Sequence, residues 1–127
     1  VTVEQIKNAV MFQTNNDTDD VGDFTPYLLD YINDGYDRLL YAYASEHISD
    51  VADADYPRLS AETDVPLVPV WAHSAIVDYA TYKVYQNGNA TKQNRSVQFL
   101  GAFREIQSKL GNAPLTGEVK TFSNIPW

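Results

Sequence analysis

The sequence predicts an all-α fold: a small bundle of about four helices, with a long acidic connector in its middle and an extended C-terminal arm. Three observations carry this. Four segments repeat apolar residues at helical spacing. Prolines, glycines and capping residues mark where those segments start and stop. The last stretch, NAPLTGEVKTFSNIPW, loses the helical period. The chain therefore divides into a helical domain, residues 1–112, and an extended arm, residues 113–127.

Thr2 to Phe12 reads as a short helix with Val3, Ile6 and Val10 on one face. Thr2 caps it and Gln5 reaches back, the reciprocal arrangement that satisfies two orphan amides. Gln13 to Phe24 is polar and acidic with a glycine, hence a loop. Asn15, Asp17 and Asp19 match the first three ligand positions of a calcium loop. The match then fails, because Asp20 stands where glycine is needed and Pro26 where glutamate is needed.

The second helix starts with Thr25 as cap and Pro26 in the first turn, and runs to about His47. Leu28, Leu29, Ile32, Tyr36, Leu39, Leu40 and Tyr43 form its apolar arc. Asp30, Asp34 and Asp37 line the other side, the pattern of a solvated acidic stripe. Gly35 costs about 1 kcal/mol of helix propensity relative to alanine. Such a residue marks a close crossing, here with the helix around residues 70–86. His47 falls at the C-terminal end of the apolar arc, the place of a packed or capping histidine.

Ser49 to Leu67 is a connector made acidic by Asp50, Asp53 and Asp55, with Tyr56, Pro57 and Leu59 available to pin it to the core. A structureless loop of this length is unusual in a small domain. Two readings follow: a short helix around Ala61, or a projecting loop that meets a partner.

Pro66 and Pro69 end the connector, and Gly88 ends the helix that follows. This helix is apolar nearly all round, so it must be covered on more than one side. Val70, His73, Ile76, Val77, Ala80 and Val84 form an aliphatic arc expected to face the chain's own core. Trp71, Ala72, Ala75, Tyr79 and Tyr82 form a second arc, expected to face another layer or another subunit. Ser74, Asp78 and Thr81 leave a narrow polar seam. Asn89 caps a fourth helix running to about Leu110, with Phe99, Phe103, Ile106 and Leu110 on one arc and Gly111 at its end. In the arm, residues 119–122 alternate weakly, as a strand does. Phe122, Ile125 and Trp127 are costly to leave in water, so the arm is expected to dock on a partner.

The net charge of −8 is unevenly placed. Residues 1–80 hold three basic and fifteen acidic residues, a net of −12, whereas residues 81–127 carry a net of +4. Such a split favours head-to-tail association of copies, which closes into a ring if the rotation allows. There are no cysteines, so disulfides and thiolate metal sites are excluded. No run of about 18 apolar residues occurs, and VTVEQIKNAV has no secretory pattern. His47 and His73 lack metal spacing, and no GxSxG, P-loop or GxGxxG is present. Ser74, His73 and Asp78 do not form a triad, because adjacent helical residues point about 100° apart. No catalytic, cofactor-binding or metal residue is assigned. Lys92, Arg95 and Arg104 sit among aromatics of core spacing, so specific nucleic-acid binding is not expected.

The layout resembles a known family. A tyrosine-bearing amphipathic helix, TPYLLDYINDGYDRLLYAY, precedes an irregular acidic stretch. A proline-bounded tryptophan helix follows, VPLVPVWAHSAIVDYATYKVY, then a helix ending FLGAFREIQSKL and an extended tail. Over roughly residues 1–112 this resembles the head-to-tail connector, or neck adaptor, proteins of tailed bacteriophages, best at Pro69, Trp71, Tyr79, Ala80, Tyr82, Phe99 and Phe103. The resemblance implies a structural virion protein with no enzymatic activity and no cofactor. It implies an oligomeric ring, commonly of twelve copies, below the portal protein. The ring extends the DNA channel, with DNA only as passing cargo, and meets the next neck or tail protein. Subunits would assemble in the host cytoplasm, without a membrane partner. Trp71, Tyr79 and Tyr82 would serve the subunit–subunit interface, and Phe122, Ile125 and Trp127 the arm that docks on portal or neighbour. An acidic front half suits a channel that DNA must not stick to. The rival readings are an acidic DNA-mimic inhibitor, using Asp30, Asp34, Asp37 and the Asp17–Asp23 loop, and a small enzyme or metal-binding domain using His73 and Asp78.

Overall fold

In the computed structural model the described residues are 1–14, 23–47 and 58–112, with backbone alone for 44–47 and 112. They are all-helical: four α-helices and two short 3-10 turns, with no strand among them. Helix α1 spans Val3–Thr14. The Thr2–Gln5 reciprocal pair closes its start: the Thr2 amide donates to Gln5 Oε1 at 2.9 Å, and the Gln5 amide to Thr2 Oγ1 at 3.2 Å. Two further first-turn amides, of Val3 and Glu4, donate to the carbonyls of Asp64 (2.9 Å) and Glu62 (3.0 Å) in the connector.

Helix α2 spans Leu28–His47 and is led in by the 3-10 turn Thr25–Tyr27. The expected cap is corrected here. Thr25 supplies no capping side chain; instead its own amide donates to Asp23 Oδ1 at 3.1 Å, and Phe24 holds the cap position. Pro26 in the first turn forfeits an amide that had no intrahelical partner anyway.

Helix α3 spans His73–Gln86 and follows a 3-10 turn at Val70–Ala72. Pro69, with extended backbone (φ −54°, ψ 148°), separates this turn from the connector. Helix α4 spans Ala90–Asn112. Asn89 caps it as expected, accepting the Lys92 amide on Oδ1 at 3.0 Å. The helix runs through Gly111 to Asn112, slightly past its expected end.

Helix α3 packs on all three others, and α4 lies against it along most of its length. Ala75, Ile76, Tyr79, Ala80, Val84 and Tyr85 are buried, so apolar residues on both arcs serve the chain's own core. The aliphatic arc is corrected at one end: Val70 is 72% exposed. It belongs to the 3-10 turn, whose three-residue period rotates it away from the α-helical arc. At Thr81 the polar seam meets α1. Thr81 donates to Gln13 Oε1 at 2.8 Å and Tyr85 to the Gln13 carbonyl at 3.2 Å.

The described half of the connector forms no helix at Ala61 and is tied to the start of α1 by its backbone. Residues 61–63 make a turn held by the Asp64 carboxylate, which accepts the Ser60 amide at 2.8 Å and the Ala61 amide at 2.9 Å. These two donors keep Asp64 below its ordinary carboxylate range. Leu59 is buried as expected. Its amide donates to Asn33 Oδ1 at 2.9 Å, and its carbonyl accepts from Asn33 Nδ2 at 2.9 Å. The Leu67 amide donates to the Tyr36 hydroxyl at 3.2 Å. The Asn15–Asp19 calcium pattern, Asp50, Asp53, Asp55, Tyr56 and Pro57, the His47 side chain, the strand pattern and the whole arm lie outside the described residues.

Candidate functional site

The three expected interface residues of the tryptophan helix occupy three different environments. Tyr79 is only 4% exposed. Its ring meets Phe103 of α4 at 4.8 Å between centroids, and its hydroxyl donates to Asp34 Oδ2 of α2 at 2.8 Å. Burial first, then this hydrogen bond, pushes the Tyr79 phenol up to about 12. The Arg38 guanidinium stands 5.5 Å over the same ring and 3.4 Å from Asp34 Oδ1. Tyr79 thus joins three helices of one chain, so of the two destinations expected for its arc, another layer or another subunit, this residue meets another layer. Gly35 makes the joint fit. A β-carbon there would lie 2.9 Å from Tyr79 Cβ, so the close crossing read from the glycine is present.

Tyr82, one turn on, is half-buried, tilted against Tyr79 at 5.6 Å, and accepts from Gln86 Nε2 at 3.0 Å. Trp71 is half exposed. It ends an outward apolar row: Val65, Leu67, Val70 and Trp71 each keep 50–72% of their surface exposed, while Pro66, Val68 and Ala72 between them are buried. Over residues 65–68 the alternation is that of an extended segment gripping the core with every second residue, and the 3-10 turn then adds Val70 and Trp71 to the outward side. Its outward positions are apolar, where a water-facing segment would ordinarily be polar.

The acidic stripe of α2 does not stand bare. Asp34 is engaged by Tyr79 and Arg38, and Asp37 accepts from Arg58 at 3.0 Å. Asp30 is exposed. Of the α4 cations, Arg95, Arg104 and Lys109 are exposed, whereas Lys92 is buried with its ammonium 5.8 Å over the Tyr85 ring.

His73 is a core histidine. Nε2 pairs with the Val68 carbonyl at 2.9 Å, which as the donor nitrogen leaves Nδ1 to accept from the Val1 nitrogen at 2.9 Å. Burial holds its pKa below the ordinary value. Asp78 is half-buried, and that burial raises its pKa. The two are five residues apart on α3, and no group of three or more metal-binding side chains occurs among the described residues. No helix among them is long and apolar enough to cross a membrane.

Two anchoring residues escaped the periodicity argument. Asn33 ties α2 to the connector, and Gln13 ties α1 to α3. The signal for Asn33 was its place between Leu29, Tyr36 and Leu40 on the apolar arc. A polar side chain there must find a partner. No family model, no curated protein and no solved structure matches the chain.

Proposed function

We propose that the chain is a structural subunit of a virion neck: a head-to-tail connector that rings the portal exit, extends the DNA channel and joins capsid to tail. The observation that carries this reading is the outward row Val65–Trp71 on a subunit whose core is already filled. A protein acting alone gains nothing from such a row, whereas a building block uses it for its neighbour. Trp71 then supplies the subunit contact, the half-buried Tyr82 farther along α3 adds to it, and Tyr79 acts from behind by fixing α3. The charge split between residues 1–80 and 81–127 favours a heterologous contact, acidic surface to basic surface. Repeated around an axis, a heterologous contact closes into a ring where its rotation allows. The arm residues Phe122, Ile125 and Trp127 would reach the portal or the adjoining subunit.

The acidic-inhibitor alternative is less well supported. A phosphate mimic needs unpaired carboxylates, and Asp34 and Asp37 are already engaged. Electron microscopy of the chain mixed with its cognate portal tests the proposal. Closed ring density beneath the portal is expected. A chain that stays apart from the portal at every concentration, and binds a basic nuclease or polymerase instead, overturns it.

A further inference from the structure

Gly101 stands near the middle of α4, and a β-carbon there would meet no atom within 4 Å among the described residues. Gly35 has an internal reason, the β-carbon of Tyr79; Gly101 has none of that kind. A glycine inside a helix gives up propensity that alanine would keep, and here it leaves helix backbone bare. Phe99 and Phe103 of the same helix meet tyrosines of α3. Gly101 lies about 160° round the helix from both, on the outer side. Val97, one turn before it, is 65% exposed, the large apolar side chain that α4 presents to water.

Charge tells what this face can receive. The exposed charged side chains of α4 are Arg95, Arg104 and Lys109 against Glu105, a net of +2. The row Val65, Leu67, Val70 and Trp71 has the opposite sign beside it. Asp64 precedes it, and Glu62 and Glu4 adjoin Asp64 through the bonds between connector and α1, with Lys7 in opposition, a net of −2. Two copies can join these surfaces in three ways. Row on row sets acid against acid, and α4 on α4 sets base against base. Row on α4 puts apolar on apolar and pairs opposite signs, whereas like charges across a contact are costly.

We infer that the row of one copy docks on the outer face of α4 of the next, with Trp71 lying over Gly101 beside Val97. Glycine lets the flat indole approach the helix backbone, where a side chain would hold it off. The contact is heterologous, so each pair keeps one row and one α4 face open for further copies. This rests on the building-block reading above and names the surface that receives Trp71.

The chain has no cysteine, so single thiols can be introduced cleanly. Val70→Cys and Val97→Cys are made as separate full-length chains, one of them labelled with heavy nitrogen so that mass tells the products apart. Equal amounts are mixed at high concentration and joined with a short bismaleimide. Chance collision gives about two mixed dimers for each like dimer of either kind. The expected result is a mixed dimer exceeding each like dimer by at least about tenfold. A ratio near that of chance, or an excess of either like dimer, overturns the proposal. Gly101→Gln, placed in the Val97→Cys chain, tests the seat itself. It should melt no lower than its parent, because its side chain enters open space on a helix that favours glutamine over glycine. It should also reduce the mixed excess at least about fivefold, because the added side chain holds Trp71 off. An undiminished excess overturns the seating of Trp71 on Gly101. Closed rings on the portal together with chance cross-linking would discard this contact and keep the connector reading. A strong mixed excess in a chain that ignores the portal would do the reverse.

Discussion

At Gly35 the missing side chain sets the distance between two helices. An added β-carbon would meet the β-carbon of Tyr79, an atom fixed to the α3 backbone that cannot swing aside. Gly35→Ala gains about 1 kcal/mol of helix propensity but forces α2 from α3, a strain of roughly 1–3 kcal/mol or more. The net effect expected is destabilisation, read as a lower denaturant midpoint. A midpoint raised above wild type would show that the crossing is looser than described. His73 makes a second prediction at this scale. Its folded pKa lies below the unfolded value near 6.5, because burial opposes the charged ring. Below pH 6.5 the unfolded chain therefore binds a proton that the folded chain refuses. This contribution to stability is intact above that pH and is lost as pH falls toward the folded pKa. Denaturation at pH 7.5 and pH 5 should show a smaller loss for His73→Gln than for wild type. His47 and the carboxylates are common to both chains and cancel in the comparison.

Elements were legible from sequence where their determinants are local. The Thr2–Gln5 pair, the Asn89 cap and the Gly35 crossing depend on residues within a turn or on one missing atom. The connector was not legible, because what orders it comes from other elements. Its carbonyls at Glu62 and Asp64 finish the start of α1, and its Leu59 backbone is bound on both sides by Asn33 of α2. Local propensity at Ala61 says nothing of these partners. Asn33→Ala should thus cost more than an ordinary surface change, about 2–4 kcal/mol, since it strands a buried amide and carbonyl of Leu59. Native-state hydrogen exchange should locate the damage, with the Leu59 amide losing protection while α4 keeps most of its own. A loss spread evenly over all four helices would deny Asn33 its role as the connector's anchor.

For the whole molecule, the sequence grouped Trp71, Tyr79 and Tyr82 on one arc facing another layer or another subunit, and the fold separates them. A single helical wheel describes α3 well, but it cannot foresee that the first turn is 3-10 or that α2 and α4 enclose Tyr79 from two sides. The separation turns one interface expectation into two different ones. Tyr79→Ala empties a site where three helices meet, and by analogy with other large aromatics it should cost about 3–5 kcal/mol. That is a large share of the roughly 5–15 kcal/mol that holds a domain of this kind together. Trp71→Ala removes a side chain half in water, so the fold should lose only about 1 kcal/mol, within the range of partly buried positions. If the subunit is a building block, the order reverses for assembly. Trp71→Ala should melt close to wild type yet fail to give closed rings on the portal, with its mass in sedimentation that of a single chain. Rings that form as readily with alanine at 71 as with tryptophan would remove this residue, and with it the outward row, from the contact between subunits.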